Sequence, residues 1–550
     1  SQHLNTATTH LKKVKKRCVK MEKRIISLFT VFCMAVGCLC LRMYVVCSSG
    51  TELVSSGSHY SSFTLYNIRG QITDCSGQKI TNSDYENCII AKPSLSSLDA
   101  LRELLDSRTY SALKQRMEKG SPVTANIGKK TVNPDGNIIC LPVYKRYASS
   151  QSAIHIIGYL DEQNHGVTGI EKAFDRILFS DEAVVVRVPV DAYGRSLGGA
   201  DIELISPAPS LGKVQLTIDN KIQSAVERAL DDCNVQQGCA LVLDAKSGAI
   251  RAVASRPSYD PYRVSDYLDS ESSPLLNRAL ESFAVGSIFK VAVAASAVEN
   301  GFSDFQYTCT GSCNIGNVKF GCSSNTAHGK MNLQKALEVS CNTYFINLGQ
   351  KLGAKRIGET ASLFGFGQGC KLAEGIYSES GILPTSRDLQ TPAALANFSF
   401  GQGSFTATPL QIAQMLSAVA NGGKYREPYL IEAVTDRNGL ETKHKKKYPT
   451  VAISEDSSCI LLKMLTSVVE NGNASPARPE RFSAAGKTAT AQTGIFDKDG
   501  NEICNTWFGG CFPADEPQYI AVIMKQGGAS GSYDCAPVFK KIADSINFSE

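Results

Sequence analysis

The chain has 550 residues, 43% of them hydrophobic and 20% charged. That composition excludes a disordered protein, and the length exceeds one ordinary core, so two or more domains are expected. The net charge of +5 is uneven: eight Lys/Arg between Lys12 and Arg24 and one Glu, Glu22, give +7 before Ile25 and leave −2 for the rest (5 minus 7), which argues against a nucleic-acid-binding body.

In chain order, residues 1–24 form a basic tail and residues 25–46 an apolar run, "IISLFTVFCMAVGCLCL" continuing past Arg42. A helix needs about 20 such residues to span a bilayer. Basic residues on its N-terminal side predict that this side stays in the cytoplasm. No small-x-small site follows soon after, so an uncleaved single-pass anchor is expected, with the body outside the cytoplasmic membrane. Residues from Ser48 to Ser62 are Ser/Gly-rich and polar, as a linker would be.

Residues 47–212 are expected to form an N-terminal domain of mixed structure, with a helix at "SLSSLDALRELLD" and β-like runs such as "NIICLPVYKRY". "SPAPSLG" marks the junction. Residues 213–550 are expected to form the second domain. "VQLTID" reads as a strand, "NKIQSAVERALDDC" as an amphipathic helix, and "CALVLDAKSGAIRAVAS" as a hairpin turning at Lys246-Ser247-Gly248. "NTWFGGCFP" and "QYIAVIMKQ" read as strands and "APVFKKIADSI" as a closing helix. The predicted fold class is α+β: an antiparallel sheet flanked by helices.

Three short patterns carry chemistry. Ser287-Ile288-Phe289-Lys290, after Gly286, opens a helix and puts Lys290 one turn beyond Ser287 on the same face. The helix N-terminus offers N–H groups to an oxyanion, and a buried Lys gives up its proton more readily and can take that of the serine. Ser340-Cys341-Asn342 sits between two helical patterns, where a hydroxyl can relay a proton and a carboxamide can grip a substrate amide. Lys487-Thr488-Ala489-Thr490 fits a strand beside a cleft, where Lys and Thr can hold a carboxylate. Taken singly, each pattern also fits a plain helix cap or a surface strand.

In order and context the three resemble the signature set of penicillin-binding proteins and serine β-lactamases. "LNRALESFAVGSIFK", "HGKMNLQKALEVSCNTYF", "FSFGQGSFTATPLQIAQMLSAVANGG" and "AAGKTATAQTG" resemble the blocks of that family, and "IRGQITDCSGQKIT" with "HGVTGIEKAFDRIL" resembles its pedestal domain. The chain leaves no room for a glycosyltransferase domain, which points to class B, the monofunctional peptidoglycan D,D-transpeptidases.

The resemblance implies roles. Ser287 is the nucleophile and Lys290 its base. Ser340 relays the proton, and Asn342 holds the substrate amide. Lys487 supports the network, while Thr488 and Thr490 hold the terminal carboxylate. It implies peptidoglycan stem peptides as substrate, β-lactams that acylate Ser287, a membrane glycosyltransferase of the shape or division type as partner, and no cofactor. The alternatives on the same fold are a non-catalytic scaffold of the wall machinery and a β-lactam-hydrolysing or sensing protein. Three positions depart from the family pattern: Ala489 for Gly, Val285 for Pro, and Asn505 for His. The methyl of Ala489 is expected to crowd a ligand lying along the strand. Arg69, Asp74 and Glu171 fall in pedestal motifs and read as structural.

No GxSxG elbow accompanies His155, His165, His328 or His444, which argues against a Ser-His-Asp hydrolase. Cys309, Cys313, Cys322 and His328 match no familiar zinc spacing. They read as a disulfide or as buried thiols, so no metal is expected.

Overall fold

The structure is a computed structural model and describes residues 3–48 and 59–546. The body of the expected linker, 49–58, lies outside the described residues, and 59–62 already belong to a strand, His59–Asn67.

The elements used below are α1 (His3–Ser48), α2 (Asn220–Asp232), β1 (Gly238–Asp244), β2 (Ile250–Arg256), α3 (Lys290–Glu299), α4 (Asn342–Leu352), α5 (Pro409–Ala420), α6 (Glu455–Asn471), β3 (Ala485–Phe496), β4 (Glu502–Phe512), β5 (Tyr519–Gln526) and α7 (Ala536–Ser545). α1 runs through the basic tail and the apolar run as one helix. Its residues Lys23–Tyr44 are long and apolar enough to cross a membrane.

The chain divides into two compact units that alternate along the sequence. The smaller holds residues 1–64, 87–141 and 185–205. Its core gathers Ile89, Leu101, Met117, Val123 and Ile138 from the strands around Asp84–Ala91 and the helices Leu95–Leu104 and Ser107–Glu118. The larger holds residues 65–86, 142–184 and 206–550, so part of the expected pedestal clusters with the second domain. Gln71–Thr73 pairs parallel with Lys213–Leu216, and that strand pairs antiparallel with Ile431–Thr435. Nearby, Glu171 is wholly buried and receives Arg69 Nε and Arg146 Nε, each at 2.7 Å, and the Tyr147 hydroxyl at 3.3 Å.

The larger unit is built on an antiparallel five-stranded sheet in the order β2-β1-β5-β4-β3. Helices cover both faces. Phe508 and Phe512 of β4 meet Phe539 of α7 on one face. Gly509 faces the other way, where a Cβ would come within 2.7 Å of Leu416 in α5 and 2.9 Å of Ile288. Burial on both faces explains why these strands read as continuous apolar runs. α2 is capped by Asp219, whose carboxylate accepts from the N–H groups of Lys221 and Ile222. α5 opens on a capping box between Thr408 and Gln411 with Pro409 at its first position. α3 is buried among other helices, which is why its apolar residues run all round it.

Candidate active site

The site begins at a glycine. Gly286 has φ +65°, and a Cβ there would lie 2.9 Å from the Thr490 carbonyl oxygen and 3.1 Å from Ala491 Cβ. Its N–H donates to the Gly401 carbonyl at 2.9 Å. Residues Gly286–Phe289 therefore form a tight 3₁₀ turn pressed between β3 and the Gly401 loop, and α3 proper starts only at Lys290. Ser287 is half-buried on this turn, and Lys290 is wholly buried one turn further.

Lys290 joins the first pattern to the second. Its Nζ donates to the Ser340 carbonyl at 2.7 Å, to Asn342 Oδ1 at 2.7 Å and to Ser340 Oγ at 3.3 Å. Burial pushes the Lys290 amine down to about 7, with Cys341 and Cys322 opposing the shift. Near neutral pH a large fraction is thus free to accept a proton. Ser340 occupies left-handed backbone, φ +55°, a conformation that costs a serine of order 1 kcal/mol and that its surroundings must hold. Asn342 opens α4, and its Nδ2 donates to the Gly321 carbonyl at 3.1 Å.

The third pattern lies on β3, an edge strand of the sheet. By the pleat, Lys487, Ala489 and Ala491 share the face that meets the Gly286 turn, while Thr488 and Thr490 point to the other. Lys487 is wholly buried. Burial, and then repulsion from Lys290, hold its amine well below the usual lysine range. Its Nζ donates to the Thr488 carbonyl at 3.1 Å. Thr488 Oγ1 donates to Asn473 Oδ1 at 3.2 Å, and the exposed Thr490 accepts from the Gly531 N–H at 3.4 Å. Ala489 is enclosed, opposite Trp507 on β4. The Trp507 indole N–H donates to the Ala284 carbonyl at 3.0 Å and so ties the approach to Ser287 onto the sheet.

Ser287, Lys290, Ser340, Asn342 and Lys487 thus come together at one end of the sheet, with Thr488, Ala489 and Thr490 along its edge. Sequence reasoning missed the supports: Gly401 against Gly286, the Gly321 carbonyl on Asn342, and Asn473 on Thr488. It also missed what surrounds the residue between Ser340 and Asn342. Cys309, Cys322, His328 and Cys341 place their ligand atoms within 4.8 Å of one another, and Cys313 is not among them. Of the two readings the sequence offered, a disulfide or buried thiols, the second holds: Cys309, Cys322 and Cys341 are buried free thiols. The Cys322 thiol is pushed down, first of all by the hydrogen bond it receives from Cys341.

Residues 238–544 match the family model described as penicillin binding protein transpeptidase domain. The chain is 28% identical over 513 residues to stage V sporulation protein D of Bacillus subtilis, covering 86% of this chain and 77% of that protein. It is 31% identical over 430 residues to the penicillin-binding protein PbpB of Mycolicibacterium smegmatis, covering 72% of this chain and 64% of that protein. Among solved structures, penicillin-binding protein 3 of Mycobacterium tuberculosis superposes with a TM-score of 0.63 at 24% identity, over 88% of this chain and 96% of that one. That likeness establishes the fold.

Proposed function

The chain belongs to the class B penicillin-binding proteins, a family of peptidoglycan D,D-transpeptidases, and from that premise we propose how its residues carry the reaction. The observation that supports the reading most is the buried Lys290 amine, one turn after Ser287 and hydrogen-bonded to both Ser340 and Asn342.

Ser287 Oγ attacks the carbonyl of the penultimate D-Ala of a stem peptide, and the neutral Lys290 amine takes the hydroxyl proton. The oxyanion that forms is met by the backbone N–H groups of Ser287 and Thr490, each donor worth about 3 kcal/mol. Ser340 passes a proton to the departing D-Ala amine, the C–N bond breaks, and an acyl-enzyme on Ser287 remains. The amine of a second stem peptide then attacks this ester. The cross-link forms, Ser287 leaves as its hydroxyl, and the amine proton returns through the same pair. Asn342 holds the substrate amide. Lys487 supports the network with its second amine.

β3 is an edge strand of the sheet and carries the third pattern, so a stem peptide lies along it as an added strand. Its terminal carboxylate is held by Thr488 and Thr490. β-Lactams present the same carbonyl and carboxylate and acylate Ser287. The apolar helix Lys23–Tyr44 anchors the protein in the membrane. The Lys/Arg cluster before it keeps the N-terminus cytoplasmic and the larger unit outside, where a membrane glycosyltransferase supplies its glycan strands. Ala489 favours a second reading, a scaffold on the same fold, in which the methyl bars the substrate from β3.

The test is turnover by the purified full chain in detergent. A pentapeptide ending in D-Ala-D-Ala with an acceptor amine should release D-Ala and give the cross-linked mass. Ser287→Ala should give neither. A parent chain that is folded yet releases no D-Ala would leave the scaffold reading standing.

A further inference from the structure

We propose that Asn473 is a positioning residue for the substrate's terminal carboxylate: its carboxamide turns the Thr488 hydroxyl between a proton held by the protein and a proton offered to the substrate. The inference rests on the transpeptidase reading and deepens it, because it puts a control on one of the two hydroxyls that reading uses.

A carboxylate only accepts hydrogen bonds, so a hydroxyl that binds it must give its proton. The two threonines of β3 differ in this respect. Thr490 Oγ1 accepts from the Gly531 N–H at 3.4 Å, and its own proton meets no acceptor among the described residues. Thr488 Oγ1 donates to Asn473 Oδ1 at 3.2 Å, so its proton is engaged with the protein. A carboxylate arriving along β3 therefore finds one hydroxyl ready and the other turned away.

Asn473 can release the second. A carboxamide carries an acceptor at Oδ1 and two N–H donors at Nδ2, on either side of one rotatable bond. Half a turn about that bond puts Nδ2 where Oδ1 was. Thr488 Oγ1 then accepts, and its proton is free to point at the carboxylate. The turn breaks a single side-chain bond, the one to Thr488, and remakes it with the roles exchanged. Asn473 is exposed, so no packing opposes the rotation.

The backbone that carries this side chain is fixed. Asn473 follows α6 by two residues, across Gly472, where a Cβ would lie 2.7 Å from the Glu338 carbonyl oxygen. The Asn473 N–H donates to that same carbonyl at 3.1 Å, two residues before Ser340. Its own carbonyl accepts from the Ser532 hydroxyl at 2.8 Å. Ser532 sits in the short turn Gly531–Asp534, which is pressed on the sheet: a Cβ at Gly531 would lie 2.6 Å from the Ala489 carbonyl oxygen. Asn473 is thus tied through its backbone to the approach to Ser340 on one side and to the turn over β3 on the other. Its carboxamide alone is left to move, and it faces a hydroxyl of the third motif. A residue kept for packing would be held the other way round, by its side chain.

The experiment is acylation of the full chain in detergent by a penicillin, whose carboxylate stands for the terminal one. Rate is followed against concentration for the parent, Asn473→Asp, Asn473→Ala and Asn473→Thr. Aspartate has the shape of asparagine but only accepts, so it keeps the Thr488 proton from the ligand. Asn473→Asp should raise the half-saturating concentration about tenfold to a hundredfold and leave the maximal rate within about twofold. Asn473→Ala frees the hydroxyl, and Asn473→Thr can accept or donate, so each should cost less than about threefold. A merely structural role gives the reverse order, because aspartate keeps the shape that alanine loses. In a Thr488→Val background the aspartate penalty should largely vanish, whereas plain repulsion between two carboxylates would leave it intact. Alanine worse than aspartate, a loss that falls on the maximal rate, or a penalty unchanged beside Thr488→Val would each overturn the proposal and leave the transpeptidase reading standing. A folded parent that the penicillin does not acylate would overturn that reading, and the proposal with it.

Discussion

Lys290 has no carboxylate partner among its hydrogen bonds; its ammonium is held by a carbonyl, a carboxamide and a hydroxyl. Neutral acceptors do not offset burial as an anion would, and that is why its amine falls from 10.5 to about 7. Because the proposed base must be neutral, acylation by a β-lactam should rise about tenfold per pH unit below 7 and level off above it. A flat profile from pH 5 to 8 would remove Lys290 as the base. Lys290→Arg keeps the cation but cannot release a proton, so acylation should fall by about 10² to 10⁴. For stability the sign is also set: the folded state disfavours the charged lysine, so the penalty is complete below about 7 and lifts as pH rises toward 10.5. At this scale the residues that converge on the candidate site were legible, because Ser287, Lys290, Ser340, Asn342 and Lys487 each sit in a short motif. Cys341 was not. It lies within one of those motifs, but its partners are 13 to 32 residues upstream in the sequence and meet only through the fold.

Between elements, one glycine decides where Ser287 sits. Any side chain at Gly286 would press on Thr490 and Ala491 of β3 and would have to hold φ +65°. Gly286→Ala should therefore destabilise the chain by about 1–3 kcal/mol and slow acylation, since the Ser287 turn must move off β3. Urea unfolding and acylation kinetics on the same sample check both, and an unchanged acylation rate would show that the turn does not need this contact. Helix and strand periodicity revealed α2, α4, α7, β1 and β2 from sequence. The 3₁₀ start at Ser287 was hidden because "SIFKVAVAASAVEN" reads as one continuous helix. What tightens its first turn is the grip of Gly401 and β3 on Gly286, which is tertiary.

On the scale of the whole molecule, composition suggested one split at residue 212, whereas the compact units interleave and residues 65–86 and 142–184 cluster with the second domain. That alternation could not be read from composition, because the pairing of Gln71–Thr73 with Lys213–Leu216 joins distant segments. Arg69 and Glu171 were read as structural, and the larger unit uses them to bury an ion cluster. Glu171 takes both Arg69 and Arg146, and Asp175 takes Arg69 at 2.7 Å. Replacing Glu171 by Gln leaves two guanidinium groups under-compensated in a buried site, so a loss of about 3–5 kcal/mol is expected in chemical unfolding. A loss below 1 kcal/mol would mean that solvent already screens the cluster.

The most direct measurement of the central claim is the intact mass of the full chain after incubation with a penicillin, beside Ser287→Ala and Ala489→Gly. The expected result is one added penicilloyl group on the parent, mapped to the peptide carrying Ser287, and none on Ser287→Ala. A parent chain that gains no mass while Ala489→Gly does would contradict it: the fold would hold, but the site would be closed by one methyl group.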